Sequence, residues 1–296
     1  MRKYLAFDIG GTSIKYGVVN AGGRVLEKAE TPSDIRLGGN VLMDKLLELT
    51  KITSRQHQLS GVGICAPGVV DVVQSKVVAG ANHIRNWYNI NQCEVIKKEF
   101  SIDCVIENDA KSAAIGENWV GSGKPYSCFY MATFGTGLGG ALVINNKIHR
   151  GHSYAAGEIC CLHSACLDDR RAATTSSLVA IARERFNDHK LDGREIFSRI
   201  RDGDQKYSLL LDEWCDFAAL PLCDIYVTID PEAIVIGGGI SDAADIFLPR
   251  LENCIGKRLH RELKNLRINL VPAKLGNDAG MIGSVFSLCK KNKIFQ

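Results

Sequence analysis

Residues 3–20 read KYLAFDIGGTSIKYGVVN. An apolar run enters the glycine pair Gly10-Gly11, and an alternating run leaves it. Apolar segments on either side of a glycine turn are the pattern of a tight hairpin. The alternation continues through NAGGRVLEKAE, residues 20–30, with Ala21-Gly22-Gly23 at the next turn. The same plan returns at residues 128–151, CFYMATFGTGLGGALVINNKIHRG, where a glycine-rich turn again lies between apolar strands. Two further strand–glycine junctions are LSGVGICAPG (residues 59–68) and EAIVIGGGIS (residues 232–241).

Helical patterns separate these strands. In NVLMDKLLELTKI, residues 40–52, the apolar positions Val41, Leu42, Leu46, Leu47 and Leu49 fall close to a 3.6-residue period. DAKSAAIGENW (109–119), DAADIFLPRLENCIGKRL (242–259) and NDAGMIGSVFSLCKK (277–291) also read as helices. So does YSLLLDEWCDFAALPLCDIYVTI (207–229), with a break or bend expected near Pro221. Two halves, each opening on a hairpin around a glycine turn, predict a duplicated α/β core with a cleft between two lobes.

A chain of 296 residues is long enough for about two such domains. The net charge of +3 is small and no Lys/Arg block stands out, so no nucleic-acid partner is expected. The basic tail LCKKNKIFQ reads as a solvated helix end. No segment approaches the ~18 apolar residues of a membrane span, and the early apolar run Tyr4–Phe7 is too short for a signal-peptide core. The eleven cysteines are odd in number and several sit in apolar runs, as buried reduced thiols of a cytoplasmic protein would.

Glycine after a strand lets backbone N–H groups approach an anion without a Cβ in the way. Gly10-Gly11-Thr12 and Gly135-Thr136-Gly137 are two such loops, each with a hydroxyl beside the glycines. Neither fits GxxxxGK[ST] or a helix-opening GxGxxG. Either alone reads as a plain hairpin turn. The two together, with Gly237-Gly238-Gly239 after a third strand, point to the phosphates of a nucleotide. Asp8, at a strand end beside the first glycines, is placed to hold a hydrated Mg²⁺. In IENDAKSAAIGE, residues 106–117, Asn108-Asp109 fall where strand becomes helix, a junction that usually faces a cleft. Asp109 there reads either as a helix N-cap or as a general base taking a proton from a substrate hydroxyl.

In order along the chain, FDIGGTSIKYGVV, GVGICAPGVVD, IENDAKSAAIGE, ATFGTGLGGALV, AAGE, IVIGGGIS and NDAGMIGSVF resemble the motifs of the ROK family of sugar kinases, part of the actin/hexokinase/Hsp70 ATPase superfamily. The resemblance implies duplicated actin-like (ribonuclease-H-like) ATPase domains, with ATP and sugar in the cleft. An N-terminal lobe over residues 1–119, with the C-terminal helix (about 285–296) packing back on it, and a C-terminal lobe over 120–284 are expected. By position, Asp8, Gly10, Gly11 and Thr12 would form the first phosphate loop, with Asp8 near Mg²⁺ and holding it through water. Gly135, Thr136 and Gly137 would form the second loop, and Gly238 and Gly239 would border the adenosine. Asp109 would deprotonate the sugar 6-hydroxyl, while Gly68, Asn108 and Glu158 would bind the other hydroxyls. The implied activity is that of an ATP- and Mg²⁺-dependent hexose kinase, commonly a homodimer. The family also contains repressors with a preceding helix-turn-helix domain, for which a first strand at residue 3 or 4 is expected to leave no room. A sugar sensor without catalysis is the alternative, against which the intact Asp109 and both loops speak.

Many members follow the glutamate with Gly-His and a Cys-x-Cys-Gly loop that together bind a structural zinc. Here Glu158 is followed by Ile159-Cys160-Cys161, so Cys161 stands where the histidine would be, and the loop is missing. ACLDD, with Cys166-Leu167-Asp168, keeps at most the last element. Cys160, Cys161, His163 and Cys166 are too crowded for separated ligand pairs, and adjacent strand cysteines would face opposite ways, so no zinc site is expected. A cysteine in place of that histidine would leave the sugar pocket wider near C1 and C2. HIRNWYNIN (83–91) looks like a β-glucoside kinase and DDRRAATTSSL (168–178) like an N-acetylmannosamine kinase, so the substrate stays open among glucose, β-glucosides and N-acetylmannosamine. Lys111 is expected to be solvated, and Lys15 either approaches the phosphates or is solvated.

Overall fold

The computed structural model describes residues 1–166, 172–263, 265–292 and 294. It divides into two compact units, Met1–Lys124 with Arg150–Ala156 and Asp278–Gln296, and Pro125–His149 with Gly157–Asn277.

The first unit is built on β1 (Lys3–Ile9), β2 (Ser13–Asn20), β3 (Val25–Pro32), β4 (Leu59–Ala66) and, after the short ribbon β5 (Val69–Asp71) and β6 (Lys76–Ala79), β7 (Asp103–Asn108). The sheet order is β3-β2-β1-β4-β7, with β1, β4 and β7 parallel and β1-β2-β3 an antiparallel meander. Its helices are α1 (Gly39–Gln56), α2 (Gln92–Phe100), α3 (Asp109–Val120) and the closing helix Ala279–Lys291. The period-2 alternation of β1 sorts its side chains onto two cores. Leu5, Phe7 and Ile9 pack with Leu42 and Leu46 of α1, while Tyr4 and Ala6 pack with Met281, Val285 and Leu288 of the closing helix. Each fully buried Leu, Ile, Phe, Val or Met among these contributes roughly 1.5–3 kcal/mol. Asp8 continues the even-numbered row, so the same alternation sends its carboxylate to the closing-helix side.

The second unit repeats the plan with β8 (Phe129–Phe134), β9 (Leu138–Ile144), β10 (Lys147–His149), β11 (Ala233–Gly237) and β12 (Leu270–Pro272), in the order β10-β9-β8-β11-β12. Again an antiparallel meander meets parallel strands at the first strand of the unit. This identity of order is the duplication expected from the paired hairpins. Its core joins Tyr130, Ala132 and Phe134 of β8 and Ile234 and Ile236 of β11 to helices α4 (Thr175–Phe186), α5 (Gly193–Arg201), α6 (Gln205–Ile229) and α7 (Ala244–Arg258), which makes the closing helix α8.

Two local expectations change. Of the break or bend expected near Pro221, the break does not occur: α6 continues from Gln205 to Ile229 with Pro221 buried inside it. The ring removes one hydrogen bond of the ladder, and the apolar packing around α6 outweighs that loss. Cys160 and Cys161 lie in a 3₁₀ turn, Ile159–Cys161, not on a strand. Among the described residues no helix is long and apolar enough to cross a membrane.

Candidate active site

In the first unit the sequence-predicted residues converge on the carboxyl ends of three parallel strands. Asp8 of β1 is in register with Cys65 of β4, which is in register with Glu107 of β7. The carboxyl ends of adjacent parallel strands are where α/β folds place ligands. Asn108 ends β7 and is the N-cap of α3, its Oδ1 accepting the Lys111 N–H at 2.9 Å. The capping role considered for Asp109 therefore belongs to its neighbour. The Asn108 Nδ2 group donates to the Gly68 carbonyl at 3.0 Å and to Asp109 Oδ1 at 2.9 Å. The Ala110 N–H also donates to Asp109 Oδ1, at 2.8 Å. Two donors on one carboxylate oxygen fix the plane of a side chain that is otherwise exposed to solvent. Gly68, Asn108 and Asp109 thus form one hydrogen-bonded group.

Asp8 faces the start of α8, so close to Gly280 that a Cβ added there would lie 3.6 Å from its Cγ. Burial, then the negative charges of Asp109 and Asp278, push the Asp8 carboxyl up to about 6, while Lys15, its register partner on β2, pulls it down. Lys15 therefore reaches the carboxylate group. Asp278, which pairs with Lys28 of β3 at 3.0 Å, lies in the NDAGMIGSVF stretch, where no role at this site is read for it from the sequence. Lys111, expected in solvent, is 1 % exposed. The reason is that α3 buries residues Ala110 through Glu117 without a break, so it has no solvent face over that stretch.

The turn between β1 and β2 closes through the Gly10 N–H to the Ser13 carbonyl at 2.9 Å. Ser33, just past the end of β3, ties it: its N–H donates to the Thr12 carbonyl and its hydroxyl to the Gly11 carbonyl, at 3.0 and 3.2 Å. Engaging the carbonyls suits an anion site, because an outward carbonyl would repel phosphate. A Cβ added at Gly11 would meet nothing within 4 Å, so the turn surface is open.

The second unit builds the equivalent turn by the same device. The Gly135 N–H donates to the Gly137 carbonyl at 2.9 Å. Ser176, in the first turn of α4, donates its N–H to the Gly135 carbonyl at 3.3 Å and its hydroxyl to the Thr136 carbonyl at 2.8 Å. Thr174 caps that helix on the Ser177 N–H. Neither Ser33 nor Ser176 stands out in sequence, since a serine tying a turn has no fixed spacing from it. Gly238, at φ +87°, follows β11; a side chain there would collide with the Phe134 carbonyl that precedes the Gly135 turn. Gly238 and Gly135 are thus neighbours across the β8–β11 strand ends, and Gly239 opens onto free space.

Glu158 belongs to the second unit, as N-cap of the turn Ile159–Cys161, with its carbonyl accepting the Cys161 N–H at 3.1 Å. The preceding Gly157 carbonyl accepts the Tyr130 hydroxyl at 2.6 Å, which anchors the turn on β8. Cys160, Cys161, His163 and Cys166 are exposed, and the Sγ atoms of Cys160 and Cys161 stand 3.9 Å apart. Partial burial of the sulfur, with Cys161 and Glu158 nearby, pushes the Cys160 thiol up to about 12. Among the described residues no three His, Cys, Asp or Glu side chains converge to hold a metal ion. Leu167 and Asp168, and with them most of the last zinc-loop element, lie outside the described residues.

The donor set around Asp8 fits a hydrated Mg²⁺. A single buried carboxylate with further negative charge nearby is enough for an ion that keeps several waters and takes one or two carboxylates directly.

Known proteins resemble this chain over nearly its whole length. The family model described as ROK family matches residues 4–292. A glucokinase of Halalkalibacterium halodurans is 29% identical over 314 residues, covering 95% of this chain and 93% of that one. A beta-glucoside kinase of Listeria monocytogenes is 28% identical over 295 residues, covering 96% of each. Among solved structures, a ROK family glucokinase from Streptomyces griseus in complex with glucose and AMPPNP superposes with a TM-score of 0.84 at 26% identity, over 98% of this chain and 99% of that one.

Proposed function

The chain belongs to the ROK family, and from that premise we propose that it is an ATP-dependent hexose kinase acting on the sugar 6-hydroxyl. The observation that carries the reading is the Gly68–Asn108–Asp109 group. It offers a carboxylate of fixed plane at the mouth of the parallel strands, beside a second carboxylate, Asp8.

Asp109 accepts the proton of the 6-hydroxyl as its oxygen bonds to the γ-phosphorus; the bond to the β–γ bridging oxygen breaks and ADP leaves. Asn108, the Gly68 backbone and Glu158 orient the remaining hydroxyls. Gly10, Gly11, Thr12 and Gly135, Thr136, Gly137 hold phosphates, and Gly238 and Gly239 border the adenosine. Asp8 would hold Mg²⁺, through water, and the ion would supply charge neutralisation on the transferring group. General-base assistance contributes about 10²–10⁴-fold, the remainder being positioning and electrostatics. The substrate class is glucose, a β-glucoside or N-acetylmannosamine; the similarity to a glucokinase and a beta-glucoside kinase supports the first two.

Use of 6-deoxyglucose tests the site of transfer. It is expected to bind in competition with the true sugar and to accept no phosphate. Phosphorylation of 6-deoxyglucose would place the transfer on another hydroxyl and rule out Asp109 as the base for the 6-hydroxyl.

A further inference from the structure

Glu107, the residue before the Asn108–Asp109 pair in the IENDAKSAAIGE stretch, is 2 % exposed, and no role is read for it from the sequence. Its Oε1 accepts the Asn108 backbone N–H at 3.0 Å. Its Oε2 accepts two hydrogen bonds from Arg150, from Nε at 2.8 Å and from a terminal nitrogen at 2.6 Å. Arg150 opens the segment Arg150–Ala156 of the first unit, and its carbonyl accepts the Ala156 N–H at 3.0 Å, which closes the segment into a loop. Hydrogen bonds therefore run without interruption from Arg150 to Glu107, from Glu107 to Asn108, and from Asn108 to both Gly68 and Asp109.

We propose that Arg150 is a positioning residue for phosphoryl transfer, acting through Glu107 on the Asn108–Asp109 junction; this deepens the hexose-kinase reading and rests on it. Removing one partner of a buried ion pair leaves the other uncompensated. Without Arg150, Glu107 loses both hydrogen bonds on Oε2 and turns toward water, which weakens its hold on the Asn108 N–H. Asn108 places both the sugar-facing Gly68 carbonyl and the Asp109 carboxylate, so a small displacement is passed to the reacting centre. Misplacement by about 1 Å can cost on the order of 10²-fold in rate. The competing role is a staple that only holds the loop down. Loss of a staple would lower stability and leave the rate per folded molecule unchanged.

The structure also supplies a way to separate the two. A cavity of about 350 Å³, lined by Glu107, Arg150, Ser287 and Lys291 among others, borders the ion pair, and the Arg150 side chain is 28% exposed. Arg150→Ala would leave a guanidinium-shaped vacancy that a small cation can enter from solvent.

The experiment compares kcat, KM and Tm of the wild type, Arg150→Ala and Arg150→Lys, with and without added methylguanidinium, and follows amide hydrogen exchange at Asn108. For Arg150→Ala the expected result is a fall in kcat of roughly 10–100-fold with KM for ATP within about twofold. Methylguanidinium restores several-fold of that loss and does not accelerate the wild type. Arg150→Lys, with one compact donor group for two, recovers only part of the rate. Unchanged kcat with lowered Tm overturns the inference, and so does a loss of kcat that methylguanidinium leaves untouched. If the wild type phosphorylates no sugar, the hexose-kinase reading fails by itself. Exchange at the Asn108 N–H then still decides whether Arg150 holds the junction: faster exchange in Arg150→Ala supports it and unchanged exchange refutes it.

Discussion

The Asn108 side chain spends both ends of its amide on the start of α3: Oδ1 caps the Lys111 N–H at 2.9 Å, and Nδ2 donates to Asp109 Oδ1 at 2.9 Å. Helix capping and orientation of the candidate base are thus functions of one residue, and substitutions can part them. Asn108→Ala loses both, with a stability cost of about 1 kcal/mol for the cap. Asn108→Ser keeps a good capping oxygen and loses the amide donors. Its Tm is expected to return close to that of the wild type, while its kcat stays at least tenfold down. Recovery of kcat together with Tm would show that the amide does not orient Asp109.

Asp8 predicts a pH dependence of stability. Burial and the charges of Asp109 and Asp278 push its carboxyl up to about 6, against roughly 3.9 in an unfolded chain. The folded chain therefore holds that proton more tightly, and the ionised side chain weakens the fold above pH ~6 and not below ~4. Asp8→Asn removes the charge. In thermal melts without Mg²⁺, the variant should melt above the wild type at pH 8, and the gap should close toward pH 4. A variant less stable than the wild type at pH 8 contradicts the assignment.

Two adjacent glycines should answer differently to alanine. Gly238 has φ +87° and its missing side chain makes room for the Phe134 carbonyl, so Gly238→Ala is expected to cost more than about 1 kcal/mol of stability. Gly239 has open space and ordinary backbone angles, so Gly239→Ala should leave Tm unchanged. If Gly239 borders the adenosine, the same variant raises KM for ATP several-fold. Unaltered KM would move the adenosine elsewhere.

Cys161 is exposed on the turn that follows Glu158, and the resemblance read from the sequence sets it opposite the histidine of the zinc-loop members. Restoring a bulky hydrogen-bonding ring by Cys161→His should narrow the pocket near C1 and C2. The ratio of kcat/KM for glucose over that for a β-glucoside or N-acetylmannosamine is expected to rise at least tenfold. A ratio unchanged within twofold would separate Cys161 from specificity.

The strands, the two glycine turns and the repeated order of the sheets are legible in sequence, because alternation and turn chemistry act over a few residues. The Asn108-Asp109 junction is legible for the same reason. Lys111 is not. The helical wheel assumes a solvent face, and the run AKSAAIGE is instead packed so closely on α8 that a side chain at Gly283 would collide with the Ser112 carbonyl. The Glu107–Arg150 pair joins residues 43 positions apart and carries no local signal. Ser33 and Ser176 are invisible for the same cause, each tying a turn formed by other parts of the chain. Pro221 misleads in the opposite direction, since a local rule for ending helices yields to the apolar packing of α6.

ADP release from ATP and Mg²⁺ against a panel of sugars, run on the wild type and on Asp109→Asn, addresses the central claim most directly. The panel holds glucose, mannose, fructose, N-acetylmannosamine, N-acetylglucosamine and cellobiose. Turnover is predicted to depend on one or a few of these sugars and to fall by about 10²–10⁴-fold in Asp109→Asn. Release of ADP at one rate whatever the sugar, or a rate that Asp109→Asn leaves intact, would contradict it.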